Sequence, residues 1–423
     1  MRAIRPQRGT AVTDINGERL LADLRTLSAI GGKADGGVDR LAWSEADLAA
    51  RRWFAERIRE AGLEPHVDAA LNVFGYLPGS AGPRLLTGSH LDSVPNGGRL
   101  DGAYGAVAGL EVLRTLVESG DPLASRVEVV GFADEEGVRF AIGLIGSLAL
   151  TGELDLDRLR GGRDWQGDPI RQVLASAGRE VDRMVDAQQH LSSIAAFLEL
   201  HIEQGPRMEA DGVDLAVVTG IVGVYREQVR VIGSQNHAGT TPFRLRHDAG
   251  RAAARAAAGM RELVQNVDAE AVANIGAMQF DPGGVNVIPG RAAFTVEVRH
   301  LEESVVYRIV ETFNAKLEAI CAEEGCRAET ERLSWVQPAR MDREQMELLE
   351  AACRDLGRKP VRMWSGAGHD AAILARHVPT GMVFVPSIGG VSHSPLETTS
   401  DEHLVLGARA LLRGVRMAAA RIK

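Results

Sequence analysis

Arg126 to Ala133 reads RVEVVGFA, a nearly unbroken apolar run, and the next four residues are DEEG. A strand that is apolar on both faces must be covered on both, which points to the inside of a layered parallel sheet. Asp134, Glu135 and Glu136 therefore arrive where this strand leaves its sheet. The pattern recurs along the chain. Arg84–Ser89 reads as a short strand that delivers His90, Ala195–His201 (AAFLELH) as one that ends in His201, and Gly381–Ser387 (GMVFVPS) as another buried strand. Between and around them, Asn16–Ile30, Ser44–Ala61, Ala103–Glu118, Gly143–Leu150 and Glu402–Ile422 carry apolar residues at helical spacing, with Ser44 as an N-cap and Gly62 as a stop. Alternating strand and helix predicts an α/β architecture, whose ligands gather outside the carboxyl ends of the strands.

After Asp214 the texture changes. Val222–Ile232, Ala271–Phe280, Arg291–Arg299 (RAAFTVEVR) and Arg327–Leu333 read as strands, with helices at Asp248–Val264 and Ser304–Glu323. That order is β-α-β-β-α-β, a split βαβ arrangement. At 423 residues the chain exceeds one typical core. The expectation is a discontinuous catalytic domain, residues 1–214 and 340–423, with a mixed, mostly parallel sheet flanked by helices. A small α+β domain, residues 215–339, is inserted into it.

A formal net charge of -9 with no basic block argues against nucleic acid or an anionic membrane as partner. No apolar run approaches the roughly 18 residues of a membrane span, and Met1–Asn16 is polar, without a signal-like apolar core. Cys321, Cys326 and Cys353 are too few and too scattered for a disulfide framework or a Cys-rich zinc site. A cytoplasmic protein is expected.

Of eleven histidines, His66, His190, His247, His300, His377 and His403 sit among charged or helix-surface neighbours and read as solvated. His90, His201, His237, His369 and His393 stand at the ends of apolar runs beside Gly, Ser, Asn or acidic residues, and are candidates for chemistry. In TGSHLDSVPNGGRLDGAYG, two aspartates crowd His90; either a metal compensates them or the loop is solvated. FADEEGVRF, ELHIEQGP, SGAGHDA and GGVSHSPLE bring further acids and imidazoles. Each alone has a bland reading as a turn or a hydrogen-bonded strand end. Together they supply the mixed imidazole and carboxylate set of a dinuclear hydrolytic site.

These motifs, in this order and over nearly the whole chain, resemble the hydantoinase/carbamoylase-type amidases, dinuclear metal amidohydrolases related to the zinc exopeptidases. Members include N-carbamoyl-L-amino acid hydrolase, allantoate amidohydrolase and beta-ureidopropionase. The resemblance implies two divalent metal ions per subunit: zinc first, with manganese, cobalt and nickel also suited to the ligands. By position, His90 and His201 match the ligands of one ion, Glu136 and His393 those of the other, and Asp101 the bridging carboxylate. Asp92 matches a partner that orients His90. Glu135 matches the general base. His237 and Asn286 match residues that bind substrate and stabilise the oxyanion, and Arg299 the clamp for the substrate carboxylate. Gln204 and Gly368, the latter within SGAGHDA, match further substrate contacts. The family also implies a homodimer through the inserted lid domain.

The implied reaction is hydrolysis of the ureido C–N bond of an N-carbamoyl-L-amino acid or similar small ureido acid. Allantoate is the alternative substrate, and a dinuclear exopeptidase or N-acyl-amino acid deacylase the second alternative. His201 favours the ureido enzymes, since the peptidase relatives usually place a carboxylate ligand there. A non-catalytic relative would have lost a ligand or the base, and all are present. The absence of a G-x-S-x-G elbow disfavours a serine hydrolase.

Overall fold

The computed structural model describes residues 14–422, so the expectation for Met1–Asn16 falls largely outside the described residues. The chain forms two compact units, one running to Thr219 and resuming at Arg340, the other Gly220–Ala339.

Among its described residues, the larger unit builds a nine-stranded sheet. At its centre Val127–Phe132, Arg84–His90, Ile194–Ile202 and Thr380–Val385 lie side by side in that order, all parallel. They are buried almost end to end, as their apolar sequences require. Antiparallel strands flank this centre: Val73–Tyr76 and Glu64–Val67 on one side, Ala216–Ile221 on the other. Because Ala216–Ile221 joins this sheet, the larger unit keeps a few residues that the sequence assigned to the smaller one. Helices Ala103–Glu118 and Asp401–Ala419 pack together and against the Arg84–His90 and Ile194–Ile202 strands. The first of them is buried from Ala103 to Leu116, as befits a central helix.

Helix Glu45–Glu60 begins at Ser44, whose side chain accepts the Asp47 N–H. Its Arg51 is buried. Nε donates to Asp47 Oδ2 at 2.9 Å, and Nη1 donates to the carbonyls of Leu71 and Phe132, each at 3.0 Å. The guanidinium thus holds the end of the Val127–Phe132 strand, just ahead of the acidic turn. Removing one partner of such a buried pair typically costs ~3–5 kcal/mol.

In the smaller unit, Met278–Asp281, Arg291–His300, Gly223–Ile232 and Arg327–Val336 form an antiparallel sheet in that order. Burial alternates along Gly223–Ile232 and Arg291–His300, so the sheet buries one face. Val229, Val231, Phe294 and Val298 on that face share a core with Val306, Ile309 and Phe313 of helix Glu303–Glu323. Two expected elements are each divided. The strand predicted over Ala271–Phe280 is Val272–Asn274 and Met278–Asp281, both paired with Arg291–His300. Residues 275–277 face only Thr295 and Val296, a one-residue bulge that includes Gly276. The helix predicted over Asp248–Val264 is Ala249–Ala258 and Met260–Val267, separated at Gly259. His300, expected to be solvated, is buried, with Nδ1 accepting the Glu302 N–H. His190, also expected to be solvated, pairs with the buried Glu128 at 3.0 Å.

Candidate functional site

The carboxyl ends of the parallel strands converge. His90 closes its strand and His201 is the penultimate residue of Ile194–Ile202. The strand Val127–Phe132 leads into Asp134, whose φ of 50° is left-handed; beyond it Glu135 stands near His90 and Glu136 near His393. Asp101 directly precedes Gly102, the N-cap of helix Ala103–Glu118, and His393 follows the strand Thr380–Val385 on a loop.

Asp101 organises this group. Its Oδ1 lies 3.2 Å from His201 Nε2 and 3.6 Å from His90 Nε2. Its Oδ2 lies 3.2 Å from His393 Nε2, which is 3.5 Å from Glu136 Oε2. Two atoms each about 2.0–2.1 Å from a tetrahedral ion stand roughly 3.3 Å apart. These separations match that value, with one carboxylate oxygen turned to each side. Glu136 Oε1 is buried without a hydrogen-bond partner, as a spare ligand atom would be. The donor set therefore fits two ions. Both inner imidazoles are aimed by main chain: His90 Nδ1 meets the Asp92 carbonyl at 3.1 Å and His201 Nδ1 the Ile202 carbonyl at 2.9 Å. Each ring therefore turns Nε2 toward Asp101.

Asp92 meets His90 through its carbonyl, and its side chain has a separate place. Its carboxylate is 3.8 Å from His90 Nδ1, beyond hydrogen-bond reach. It accepts instead the backbone N–H groups of Glu135 and Glu136, each at 3.2 Å. The side chain fixes the acidic turn, while the carbonyl of the same residue orients the imidazole.

Burial and close neighbours shift the titratable groups of this cluster strongly. Burial opposes the charged form of His90, yet Asp101, Glu135 and Asp92 push its imidazole well above the usual range. Burial also works against the Asp101 carboxylate, but its hydrogen bonds to His201, His393 and His90 hold it well below the usual range. Burial drives Glu135 well up, with His90 opposing and Glu136 and Asp370 adding. Burial, then Asp101, raises Glu136 to about 7, and the Asp101 hydrogen bond raises His393 to about 9. A divalent ion bound here would displace protons from the groups whose values are raised.

Glu135 Oε2 stands 3.8 Å from His90 Nε2. A Cβ on Gly368 would lie 3.8 Å from Glu135 Oε1, so the residue at 368 borders this carboxylate. Gln204 donates from Nε2 to Asp101 Oδ2 at 2.7 Å. His369, a candidate for chemistry by sequence, is buried edge-on against His201, with Nε2 2.8 Å from Ser365 Oγ. Burial holds its imidazole well below the usual range, so it packs as a neutral ring. Glu199, Glu397 and Ser392 carry no expectation from the sequence. Glu199 accepts the Ser89 hydroxyl at 2.6 Å and the Ala371 N–H at 3.1 Å. It ties the segment holding His369 to the Arg84–His90 strand.

The smaller unit brings His237 and Asn286 together. Asn236–His237 pairs with Val287–Ile288, and the Ala238 N–H donates to the Asn286 carbonyl at 2.9 Å. His237 Nδ1 accepts the N–H groups of Gly239 at 3.0 Å and Thr240 at 3.2 Å. In the neutral ring the proton then sits on Nε2, which becomes a donor. Arg299 donates from Nε to Glu297 at 2.7 Å, and Glu297 also accepts from Arg226 at 2.6 Å.

Residues 86–416 match peptidase family M20/M25/M40. The chain belongs to that family. Its relatives there include the N-carbamoyl-L-amino acid amidohydrolase of Geobacillus stearothermophilus, 38% identical over 95% of this chain and 98% of that protein. The allantoate amidohydrolase of Bacillus subtilis is 36% identical over 91% and 93% of the two chains. A crystal structure of a hydantoinase/carbamoylase family amidase from Burkholderia multivorans superimposes with a TM-score of 0.89 at 33% identity, covering 97% of this chain and all of that one. The mixed α/β fold with a parallel sheet centre is thus the family's. Among the described residues no helix is long and apolar enough to cross a membrane.

Proposed function

We propose that the chain is a metal-dependent amidohydrolase that cleaves the ureido C–N bond of an N-carbamoyl-L-amino acid or a similar ureido acid, with allantoate as the alternative substrate. The division of Asp101 between His90 and His201 on one oxygen and His393 on the other, beside Glu135, carries this reading. Relatives named for N-carbamoyl-L-amino acids and for allantoate support the substrate class.

His90 and His201 on one side, and Glu136 and His393 on the other, would hold two divalent ions with Asp101 between them. Bound there, the ions would polarise the ureido carbonyl and lower the pKa of water. Zinc comes first for this donor set, with manganese, cobalt or nickel as alternatives. Glu135 takes a proton from the attacking water on its carboxylate and passes it to the departing nitrogen. The Nε2–H of His237 and the side-chain amide of Asn286 donate to the oxygen that gains charge in the tetrahedral state, where such donors accelerate the reaction. Arg299 exchanges Glu297 for the substrate carboxylate. Gln204 and the Gly368 segment complete the substrate contacts. The smaller unit acts as lid and dimerisation surface of a cytoplasmic homodimer.

A substrate panel with metal-reconstituted protein tests the proposal, with ammonia release followed from N-carbamoyl-L-amino acids, allantoate and ureidoglycolate, and amide cleavage from N-acetyl-amino acids. Preference for a ureido acid is expected. Faster cleavage of N-acetyl or peptide substrates would replace this reading with the deacylase or exopeptidase one.

A further inference from the structure

Glu397 lies 296 residues beyond Asp101 in sequence and meets it in the fold. Its Oε1 accepts the backbone N–H groups of Leu100 at 2.9 Å and Asp101 at 3.0 Å. Its Oε2 accepts the Ser392 hydroxyl at 2.7 Å. The residue is 2% exposed. Gly98 makes room for it, since any Cβ there would overlap the Glu397 carboxylate. One buried carboxylate therefore ties the turn bearing Asp101 to the residue directly before His393.

His393 needs such an anchor. It is half-exposed, belongs to no strand, and takes a left-handed φ of 53°, a strained conformation for a residue with a Cβ. His90 and His201, by contrast, sit on buried strands with their rings aimed by main-chain carbonyls. A second carboxylate placed beside Asp101 is electrostatically unfavourable, and three neutral donors rather than a cation offset its burial. A fold that needed only a plug at this point would be better served by an uncharged side chain.

We propose that Glu397 is a positioning residue of the dinuclear centre, locking the Asp101 turn to the His393 loop so that the outer half-site, Asp101 with Glu136 and His393, keeps its shape. The proposal rests on the metal-centre reading above. Glu397 touches neither substrate nor ion; it acts through the backbone of Asp101 and through Ser392.

The test is titration of the metal-free full-length protein with Co²⁺, followed by calorimetry and visible absorption, with circular dichroism to verify the fold. Wild type is expected to take up two ions. Glu397→Ala is expected to bind the first nearly as wild type and the second about 10–100-fold more weakly, the usual effect of losing a ligand's supporting partner. Glu397→Gln, which keeps an oxygen for both N–H groups, is expected to recover most of that loss. Ser392→Ala removes the Oε2 link together with the hydroxyl's own contacts to Asp101 Oδ2 at 3.4 Å and Gln204 Nε2 at 3.3 Å, and is expected to weaken the second ion selectively; if Glu397→Ala does not fold, wild-type affinity in Ser392→Ala still overturns the proposal. Two ions bound at wild-type affinity by either Ala variant would overturn the proposal. So would equal weakening of both ions without recovery in Glu397→Gln. Fewer than two ions in the wild type would overturn the dinuclear reading and this proposal with it.

Discussion

Gly102 lies so close to the ring of His90 that a Cβ at 102 would overlap it. Its backbone, at φ 64° and ψ -52°, is also outside the range open to residues with side chains. Gly102→Ala should therefore strain the backbone by about 1–3 kcal/mol and tilt the imidazole. The expected result is a lower melting temperature of the metal-free protein together with weaker metal retention. Unchanged metal binding would mean that the ring position tolerates more than the packing implies.

Glu135 and Asp101 should separate turnover from metal binding. Glu135→Gln is expected to keep both ions while kcat falls by about 10²–10⁴-fold, the range typical of a general base. Asp101→Ala should lose both ions, since each half of the centre uses one of its oxygens. Elemental analysis beside steady-state kinetics checks both. Two ions retained by Asp101→Ala would rule out the bridge.

Metal uptake should release protons from ligands whose values are raised, Glu136 and His393 among them. His393 holds its proton to about pH 9 and Glu136 to about pH 7. From these two groups, uptake should release about two protons at pH 6, about one at pH 8 and almost none above pH 10. Their contribution to affinity therefore climbs through pH 7 to 9 and then levels. In the metal-free fold the sign for His393 is reversed: its contribution to stability is complete below the ordinary histidine value of 6.5 and is lost as pH rises through about 9. Calorimetry in buffers of different ionisation enthalpy counts the protons, and a count independent of pH would contradict the assignment.

Arg299→Lys tests recognition of the acid. A guanidinium offers a carboxylate two parallel donors, an ammonium only a point charge. Loss of such a pair is expected to reduce kcat/KM for ureido acids by the equivalent of ~2–5 kcal/mol, with metal content unchanged. Substrates lacking the carboxylate should be poor and respond little to the substitution. Equal rates for acids and their carboxylate-free analogues in the wild type would remove the clamp.

What the sequence disclosed depended on how far each signal reaches. Long apolar runs such as RVEVVGFA announce a buried strand, and the acids behind them announce a site at its end. The flanking strands Glu64–Val67 and Val73–Tyr76 are four residues each, too short for a period to register. The bulge at residues 275–277 is a matter of register against Arg291–His300, which no single segment encodes. Glu135 and Glu136 could be found because they follow a strand. Glu397 could not be given a role, because its partners are backbone N–H groups almost three hundred residues away and leave no mark on composition. For Asp92, spacing reveals which residue stands beside His90, but not whether its side chain or its carbonyl faces the ring.

The two buried imidazoles take their aim from carbonyls of the peptide chain. A carbonyl is present whatever side chain accompanies it, so point mutation has little to remove there. His393 is steadied by the side chains around Ser392 and Glu397, and each of those can be exchanged. Mutational drift therefore meets an unequal pair: one half of the pocket is inherited with the backbone, while the other is open to adjustment. Changes in ion preference should accumulate on the His393 side first.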